Sequence, residues 1–377
     1  MNTNLEVNTN NTNMLPATSQ MEEKQQDSKT TTVASSTFQS QKQAEIATQA
    51  DLFCITPFTP DGKPNAVKDR IEAYVKNSVA AADKCQNMSL DDTRKTLSKF
   101  YSERDEDLEP VGKIVDLKAD GVPVRIYYPL QGKAPYSAIV YYHAGGWVFG
   151  AIPDADGLCR MLCNQTGHVI ISTEYRRSPE NHFPAPFDDC YTVLQWTQNQ
   201  AKTLGINPER IGVGGPSAGG CLSTGMALKE RDTKKKSQIA FELILCPCLN
   251  YPLDKKVYDD CADQRYLSYG AMNFFWSCYL KDPKDGENPY ASPPKAQSLA
   301  NMPPSFVLVA ENDPLRLEAE QYAERLKKAG NTVILKKFAG VPHNFIQFPK
   351  RMKLPQQEEA LKDIATFVNS QELFQKK

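Results

Sequence analysis

The chain has 377 residues, 40% of them hydrophobic, and a formal net charge of -1. This length allows one large core or about two or three domains. The nearly neutral charge gives no attraction to nucleic acid or to an anionic membrane surface, so we expect a small-molecule partner and no nucleic acid.

The first predicted element is a polar tail over residues 1–50. This stretch is rich in Asn, Thr, Gln and Ser and contains no Gly, Cys, Trp or Tyr. Such a segment cannot bury enough apolar surface to offset the entropy that is lost on ordering. We therefore predict that the tail is disordered.

A helical segment is predicted over residues 51–105, ahead of the main domain. Its first helix carries apolar residues at three- and four-residue spacing, namely Val67, Ile71, Tyr74, Val75 and Val79. The second helix follows Ser89, a favoured N-cap residue, and has Asp91 and Asp92 in its first turn.

From Val111 onward, short β-rich runs alternate with helical patterns. The strand candidates are GVPVRIYYP, SAIVYYH, HVIISTEY, RIGVGG, AFELILC, SFVLVA and TVILKKF. This alternation predicts an α/β fold with a mostly parallel, doubly wound sheet over 106–377, and a hairpin at its front where two strands follow closely. The alternation lapses near 252–294, where RYLSYGAMNFFWSCYL indicates a helical insertion above the sheet.

One glycine-rich turn contains a candidate nucleophile. Residues 215–219 fit the pattern G-x-S-x-G around Ser217, between the strand candidate RIGVG and a helical pattern. Glycine-rich turns produce this pattern often, but strand, turn and helix in this order are typical of a nucleophile elbow. We therefore interpret Ser217 as a nucleophile.

A serine hydroxyl needs a base, and the base needs an orienting carboxylate. Among the four histidines, His343 lies between the last strand candidate and the last helix, where this fold places its base; the alternative is a loop histidine without a role. Asp313 follows the strand SFVLVA and precedes His343 in the chain. Asp313 could instead only cap the next helix, and Glu311 is the nearest rival carboxylate.

Acyl transfer also needs donors for a developing oxyanion. The stretch His143-Ala144-Gly145-Gly146 follows another strand candidate. The backbone amides of Gly145 and Gly146, together with that of Ala218, are the predicted donors. A tight turn without catalytic role is the alternative.

Cysteine spacing and the N-terminus restrict the remaining classes of protein. The ten cysteines are scattered and favour buried thiols over a disulfide framework, and no pair has the partners of a zinc site, so we expect no metal. No basic segment with an apolar run marks a secretory signal, and no stretch reaches the roughly 18 apolar residues of a membrane helix. We expect no transmembrane segment and a cytoplasmic location, with only the ordinary secretory route excluded.

Together these motifs resemble the hormone-sensitive-lipase-like branch of the α/β-hydrolases, a family of carboxylesterases. The family motifs H-G-G-G, G-D-S-A-G-G, D-P-L and H-G-F are similar to residues 143–146, 215–220, 313–315 and 343–345. The segment EYRRSPENHFPAPFDDC also looks like the family's Y-R-L-A-P-E block. The resemblance covers the chain from about Gln86 to its end.

The resemblance implies an α/β-hydrolase fold and the cleavage of short- to medium-chain carboxylic esters through an acyl-enzyme, without a cofactor. It implies a nucleophile, a base, an orienting acid and a set of oxyanion donors: Ser217, His343, Asp313, and Gly145, Gly146 and Ala218. It also implies a cap built from the helices before residue 105 and the insertion near 252–294. The oligomeric state is left open, and a homodimer is allowed.

Three positions depart from the family pattern: Ala144 replaces a glycine, Pro216 replaces an acid and Asn344 replaces a glycine. Two alternative functions therefore stay open at this point. The same triad would serve an amidase or arylformamidase, and a hydrolase fold can also serve as a non-catalytic ligand-binding protein.

Overall fold

We analysed a computed structural model of the chain. The structure describes residues 66–85, 87–103, 105–234, 237–259, 261 and 267–370. The predicted tail over 1–50 lies outside these residues.

An eight-stranded sheet forms the centre of the described part of the chain. Its strands are β1 (Lys113–Ala119), β2 (Val122–Tyr128), β3 (Tyr136–Tyr142), β4 (Val169–Thr173), β5 (Ile206–Pro216), β6 (Glu242–Leu245), β7 (Ser305–Asn312) and β8 (Val333–Pro342). Their order across the sheet is β1-β2-β4-β3-β5-β6-β7-β8. β2 pairs antiparallel with β1 and β4, and the other neighbours are parallel. This confirms the predicted mostly parallel α/β sheet.

The helices connect the strands and precede the sheet. Within the described residues they are α1 (Ala66–Asp83), α2 (Leu90–Tyr101), α3 (Ile152–Thr166), α4 (Ala185–Asn199), α5 (Ala218–Thr233), α6 (Lys255–Asp259), α7 (Tyr269–Tyr279), α8 (Arg316–Lys328) and α9 (Pro355–Val368). Ser89 caps α2 as predicted, because its hydroxyl accepts a hydrogen bond from the backbone N–H of Asp92. None of the described helices combines the length and the apolar character needed to cross a bilayer.

A hairpin stands at the front of the sheet, but β1 and β2 form it and not the first two strand candidates, because β4 lies between β2 and β3. β1 is missing from the strand candidates. The sequence of β1, KIVDLKA, mixes charged and apolar residues because the strand is half exposed at the edge of the sheet. Asp120 and Gly121 form the turn between β1 and β2, both with positive φ (46° and 96°). An Asp-Gly pair with this backbone is a strong signal for a two-residue hairpin, so the turn could have revealed β1.

One hydrophobic cluster packs helices α3 and α9 against the parallel strands. Alternate residues of neighbouring strands point into it, including Leu243 and Leu245 of β6 and Phe306 and Leu308 of β7. Every residue of β4 and of β6 is buried. Strands that are covered on both faces read as continuous apolar runs, which explains why these strands were recognisable in the sequence.

A carboxyl group is buried at the start of β6. The hydroxyl of Ser305 donates to Oε1 of Glu242 at 2.6 Å, while Oε2 has no hydrogen-bond partner. Burial raises the pKa of Glu242 from 4.5 to about 8, and the hydrogen bond from Ser305 opposes this only partly. The folded protein therefore favours the protonated form of this side chain at neutral pH.

We expect the substitution Glu242→Gln to weaken the pH dependence of folding stability. A raised pKa means that the folded state holds the proton more tightly than the unfolded state. The stabilisation that this proton gives to the folded state is fully present below the pKa that Glu242 has in the unfolded chain. It is lost as the pH rises toward 8, and the free energy of unfolding then falls by up to about 1.4 kcal/mol per pH unit. Melting temperatures between about pH 5 and pH 8 should fall less steeply for this variant than for the wild type. The exposed Glu358→Gln substitution on α9 is the control, and identical slopes for Glu242→Gln and the wild type would contradict the assignment.

Candidate active site

Ser217 occupies the sharp turn between β5 and α5. The strand ends at Pro216 and the helix begins at Ala218. The backbone of Ser217 has φ +55° and ψ −119°, in a region that residues other than glycine rarely adopt. Its N–H donates to the carbonyl of Leu245 at 2.9 Å, so the strand ladder holds the strained residue in place. The predicted strand, turn and helix order is confirmed.

Small residues around the serine allow the helix to pass close to the sheet. A Cβ atom added to Gly219 would lie 1.9 Å from the carbonyl oxygen of Tyr142, at the end of β3. Real Cβ atoms do not approach backbone oxygens this closely. Only glycine therefore fits at this position without moving α5 away from the end of the sheet.

Pro216 fits the end of β5. It stands opposite Leu245 in the parallel register between β5 and β6. Proline lacks a backbone N–H, and the hydrogen bond to the Leu245 carbonyl is made by the N–H of Ser217 instead. The turn that the family pattern builds after an acidic residue is thus also formed after proline.

The structure brings Ser217, His343 and Asp313 into one hydrogen-bonded line. Nε2 of His343 lies 3.0 Å from Oγ of Ser217, and Nδ1 of His343 lies 2.8 Å from Oδ2 of Asp313. The other carboxylate oxygen of Asp313 accepts the N–H of Leu315 at 2.9 Å. All three side chains are buried, and each follows the carboxyl end of a parallel strand, where ligands of open α/β sheets bind.

The rival carboxylate, Glu311, points elsewhere. Its Oε2 accepts a hydrogen bond from the backbone N–H of Gly340 at 2.8 Å, and the residue is exposed. Asp313, in contrast, is only 3% exposed. Asp313 is therefore the carboxylate that meets His343.

The other histidines have different partners. Nδ1 of His143 lies 2.8 Å from the carbonyl of Ala144, and its ring stacks on Tyr175. Burial lowers the pKa of His143 and that of His168 to about 4 in each case. Nδ1 of His182 lies 2.8 Å from the carbonyl of Cys278. None of these imidazoles is hydrogen-bonded to Ser217.

The loop after β3 leaves backbone amides available beside Ser217. Gly145 and Gly146 both have positive φ (116° and 58°), and the carbonyl of Gly145 accepts hydrogen bonds from Val148 and Phe149. Among the described residues, no group accepts a hydrogen bond from the amides of Gly145, Gly146 or Ala218. These N–H groups are therefore free to bind a ligand oxygen.

Asn344 adopts the backbone conformation of the glycine that it replaces. Its φ is +60° and its ψ is +17°, which is left-handed helical. Asn is one of the few residues other than glycine that visit this region readily. The loop behind His343 thus keeps its shape despite the departure from the family pattern.

Ser217 and His343 line a pocket whose other walls come from distant parts of the chain. Apolar and aromatic side chains from α1, α2, the loop after β3, the α7 region and the segment after β8 contribute to it: Tyr74, Leu97, Tyr101, Phe149, Leu267, Phe275 and Phe348. Sequence reasoning missed these wall residues, because no motif connects segments so far apart.

Arg94 of α2 is another residue that the sequence did not reveal. Its guanidinium donates to the carbonyls of Val148 at 2.9 Å and Ser178 at 2.7 Å. It also pairs with both carboxylate oxygens of Glu180 at 2.7 and 2.8 Å. Arg94 thereby fastens α2 to the loop after β3. The segment that contains Glu180 resembles a family motif, but nothing in the sequence indicates its partner.

One set of potential metal ligands occurs among the described residues. Donor atoms of Cys246, Asp313 and His343 all lie within 4.8 Å of one another. Burial, followed by the charge of Asp313, raises the pKa of the Cys246 thiol, which favours the protonated form that does not bind metals. Asp313 and His343 are already hydrogen-bonded to each other, so this arrangement suits proton transfer better than metal binding.

Comparisons with known proteins agree with the α/β fold described above. A family model described as alpha/beta hydrolase fold matches residues 139–347. An arylesterase of Saccharolobus solfataricus is 32% identical over 247 residues, which cover 64% of this chain and 80% of the relative. Carboxylesterase NlhH of Mycobacterium tuberculosis is 32% identical over 230 residues, covering 60% and 72%.

The fold is similar to that of a solved esterase. The hyperthermophilic esterase from the archaeon Pyrobaculum calidifontis superposes with a TM-score of 0.71 at 31% identity, covering 79% of this chain and 98% of that one. Its likeness extends over nearly the whole of that enzyme. The chain therefore belongs to the hormone-sensitive-lipase-like family of the α/β-hydrolase superfamily, and it is an esterase.

Proposed function

We propose that this esterase cleaves carboxylic esters with Ser217 as nucleophile, His343 as general base and Asp313 as the acid that orients His343. The observation that supports this most strongly is the buried line of hydrogen bonds from Asp313 through His343 to Ser217. An imidazole held between a carboxylate and a hydroxyl can take the hydroxyl proton while the carboxylate stabilises the imidazolium that forms.

The reaction then runs through an acyl-enzyme. Oγ of Ser217 attacks the ester carbonyl as its proton moves to Nε2 of His343. The tetrahedral intermediate collapses, His343 returns the proton to the departing alcohol, and the acyl group stays on Ser217. Water then attacks the acyl group as its proton moves to His343. When this second intermediate collapses, the acid leaves and His343 returns the proton to Oγ of Ser217, which restores the serine.

We assign the oxyanion to the backbone amides of Gly145, Gly146 and Ala218. Their N–H groups bind no described acceptor. Gly145 and Gly146 line the same pocket as Ser217, and Ala218 follows Ser217 in the chain. Donors that are already in place when charge develops on the carbonyl oxygen stabilise the transition state without having to reorganise.

We further propose that α1, α2 and the α7 region form the cap that was predicted from the resemblance. Tyr74, Leu97, Tyr101 and Phe275 from these elements line the pocket that contains Ser217. Bulky walls favour short- to medium-chain acyl groups, and the relatives named arylesterase and carboxylesterase support aryl esters and other carboxylic esters as substrates. The cytoplasmic location and a homodimer stay predictions from the sequence.

The substitution Ser217→Ala should abolish covalent labelling by a fluorophosphonate probe and lower kcat for p-nitrophenyl acetate by at least about 10³-fold, because triad members act as a unit. Ser223→Ala is the matched control. Ser223 is a buried serine like Ser217, but it lies within α5 and its hydroxyl donates to the carbonyl of Gly219. Persistent labelling of Ser217→Ala with full activity would refute the assignment of the nucleophile.

The two neighbouring carboxylates should respond very differently to neutralisation. Asp313→Asn should reduce kcat by roughly 10³- to 10⁴-fold with little change in folding, since the amide no longer orients His343 or stabilises its charge. Glu311→Gln removes a charge of the same type from an exposed side chain and should leave kcat nearly unchanged. Steady-state kinetics on both variants decides between them; a severe defect in Glu311→Gln beside a near-normal Asp313→Asn would transfer the role to Glu311.

A further inference from the structure

The pocket that contains Ser217 also contains a carboxylate that the proposed mechanism does not use. Asp154 lies in the first turn of α3, soon after the loop that holds Gly145 and Gly146, and its side chain lines the same pocket. Ester hydrolysis by the triad needs no second acid at this place. The position of Asp154 therefore calls for a separate explanation.

The carboxylate of Asp154 is held in a fixed orientation. The hydroxyls of Ser98 and Ser102 donate to Oδ1 at 2.5 and 2.9 Å. No described residue donates a hydrogen bond to Oδ2, and Oδ2 is not one of the buried oxygens that lack a partner. Oδ1 of Asp154 is thus held by hydrogen bonds from α2 and its C-cap residue, while Oδ2 remains accessible to a ligand in the pocket.

Asp154 has no cationic partner among the described residues. No Lys, Arg or His in the described ranges lies within ion-pair distance of its carboxylate. Arg94 lines the same pocket, but its guanidinium is already engaged by Glu180 and by backbone carbonyls. Within the described ranges, no cation therefore forms an ion pair with the Asp154 carboxylate at this point of the pocket.

Aromatic rings surround the same space. The pocket is lined by Tyr74, Tyr101, Phe149, Phe275 and Phe348, and Tyr74 packs against Phe348 with ring centroids 4.5 Å apart. The charge of Asp154 reaches Tyr101, since it helps to raise the pKa of that phenol, after the larger effects of burial and of Tyr74. A carboxylate beside aromatic faces attracts organic cations through Coulomb and cation–π interactions.

We propose that Asp154 and these aromatic side chains form a subsite for an ammonium group of the substrate, so that the enzyme favours esters of amino alcohols or amino acids over neutral esters of the same shape. This inference rests on the proposed function, because it concerns the substrate of the same site. Asp154 is a specificity-determining residue in this assignment and takes no part in the bond-breaking steps.

A structural role for Asp154 gives a different expectation. Its hydrogen bonds to Ser98 and Ser102 also connect α2 with α3, and an acid in the first turn of a helix is favoured by the helix dipole. If this were its only role, removing the charge would affect cationic and neutral esters alike. A subsite for a cation predicts a loss that depends on the charge of the substrate.

Two esters of nearly equal shape separate these possibilities. Acetylcholine carries a quaternary nitrogen where 3,3-dimethylbutyl acetate carries a carbon atom. We expect wild-type kcat/KM to be roughly tenfold higher for acetylcholine, the size of effect that one partly desolvated cation contact provides. Added NaCl should reduce this preference through screening. The wild-type measurement needs no variant and so does not depend on whether a variant folds.

The substitution Asp154→Asn should reduce the ratio of the two kcat/KM values to near one, since the amide keeps the shape and the hydrogen bonds to Ser98 and Ser102 but loses the charge. Ser102→Ala is the matched control, because it removes one hydrogen bond to Asp154 and keeps the charge, and its ratio should stay at the wild-type value. Melting curves of both variants verify folding.

The possible failures are distinguishable. Equal wild-type rates on the two esters, a ratio that Asp154→Asn does not change, or hydrolysis of p-nitrophenyl acetate alone would each overturn the subsite and leave the proposed function intact. Absence of Ser217 labelling and of all ester hydrolysis would overturn the proposed function itself.

Discussion

The contact between the start of α5 and the end of β3 is the constraint on which the site depends. With a Cβ at Gly219 placed only 1.9 Å from the Tyr142 carbonyl, the helix can begin at this point only if the residue is glycine. The chain leaving β5 must then turn within one residue, and Ser217 takes the strained backbone of that turn. Its hydroxyl consequently meets His343, and the amide of Ala218 stays outside the helical hydrogen bonds.

Departures from the family motifs are tolerated where they preserve the backbone. Asn344 keeps the positive φ of a glycine, and Pro216 occupies a strand end where Ser217 makes the next ladder hydrogen bond. Ala144 is buried, and its carbonyl pairs with the imidazole of His143. These positions contribute backbone shape rather than reacting atoms. The non-catalytic interpretation that they left open is not supported, since the chain is an esterase.

The sequence predicted the sheet and the candidate triad because both depend on local patterns. Buried parallel strands read as apolar runs, and Ser217 and Asp313 each follow such a run. His343 follows the mostly exposed edge strand β8, whose stretch TVILKKF was nevertheless recognisable as a strand. The edge strand β1 was missed, since its half-exposed residues have no such run, although Asp120-Gly121 marked its turn. Arg94 and Asp154 could not be found in this way, because their importance arises from contacts with residues more than fifty positions away. Only the tertiary structure brings these partners together.

The residues proposed to carry out the reaction and the residues that form the pocket wall also differ in how well the sequence predicts them. The groups proposed to break the ester bond follow the strands of the sheet, so family membership predicts them well. Part of the pocket wall comes from α1, α2 and the α7 region, and hydrogen bonds from α2 fasten this helix to the segments that follow the strands. Arg94 binds the carbonyl of Val148, and Ser98 binds Asp154 at the start of α3. The second of these contacts also fixes a carboxylate in the pocket, so α2 contributes both to the wall of the site and to the position of a charge within it. In the proposed ammonium subsite, substrate preference depends on the contacts of α2, whose sequence carries no catalytic motif.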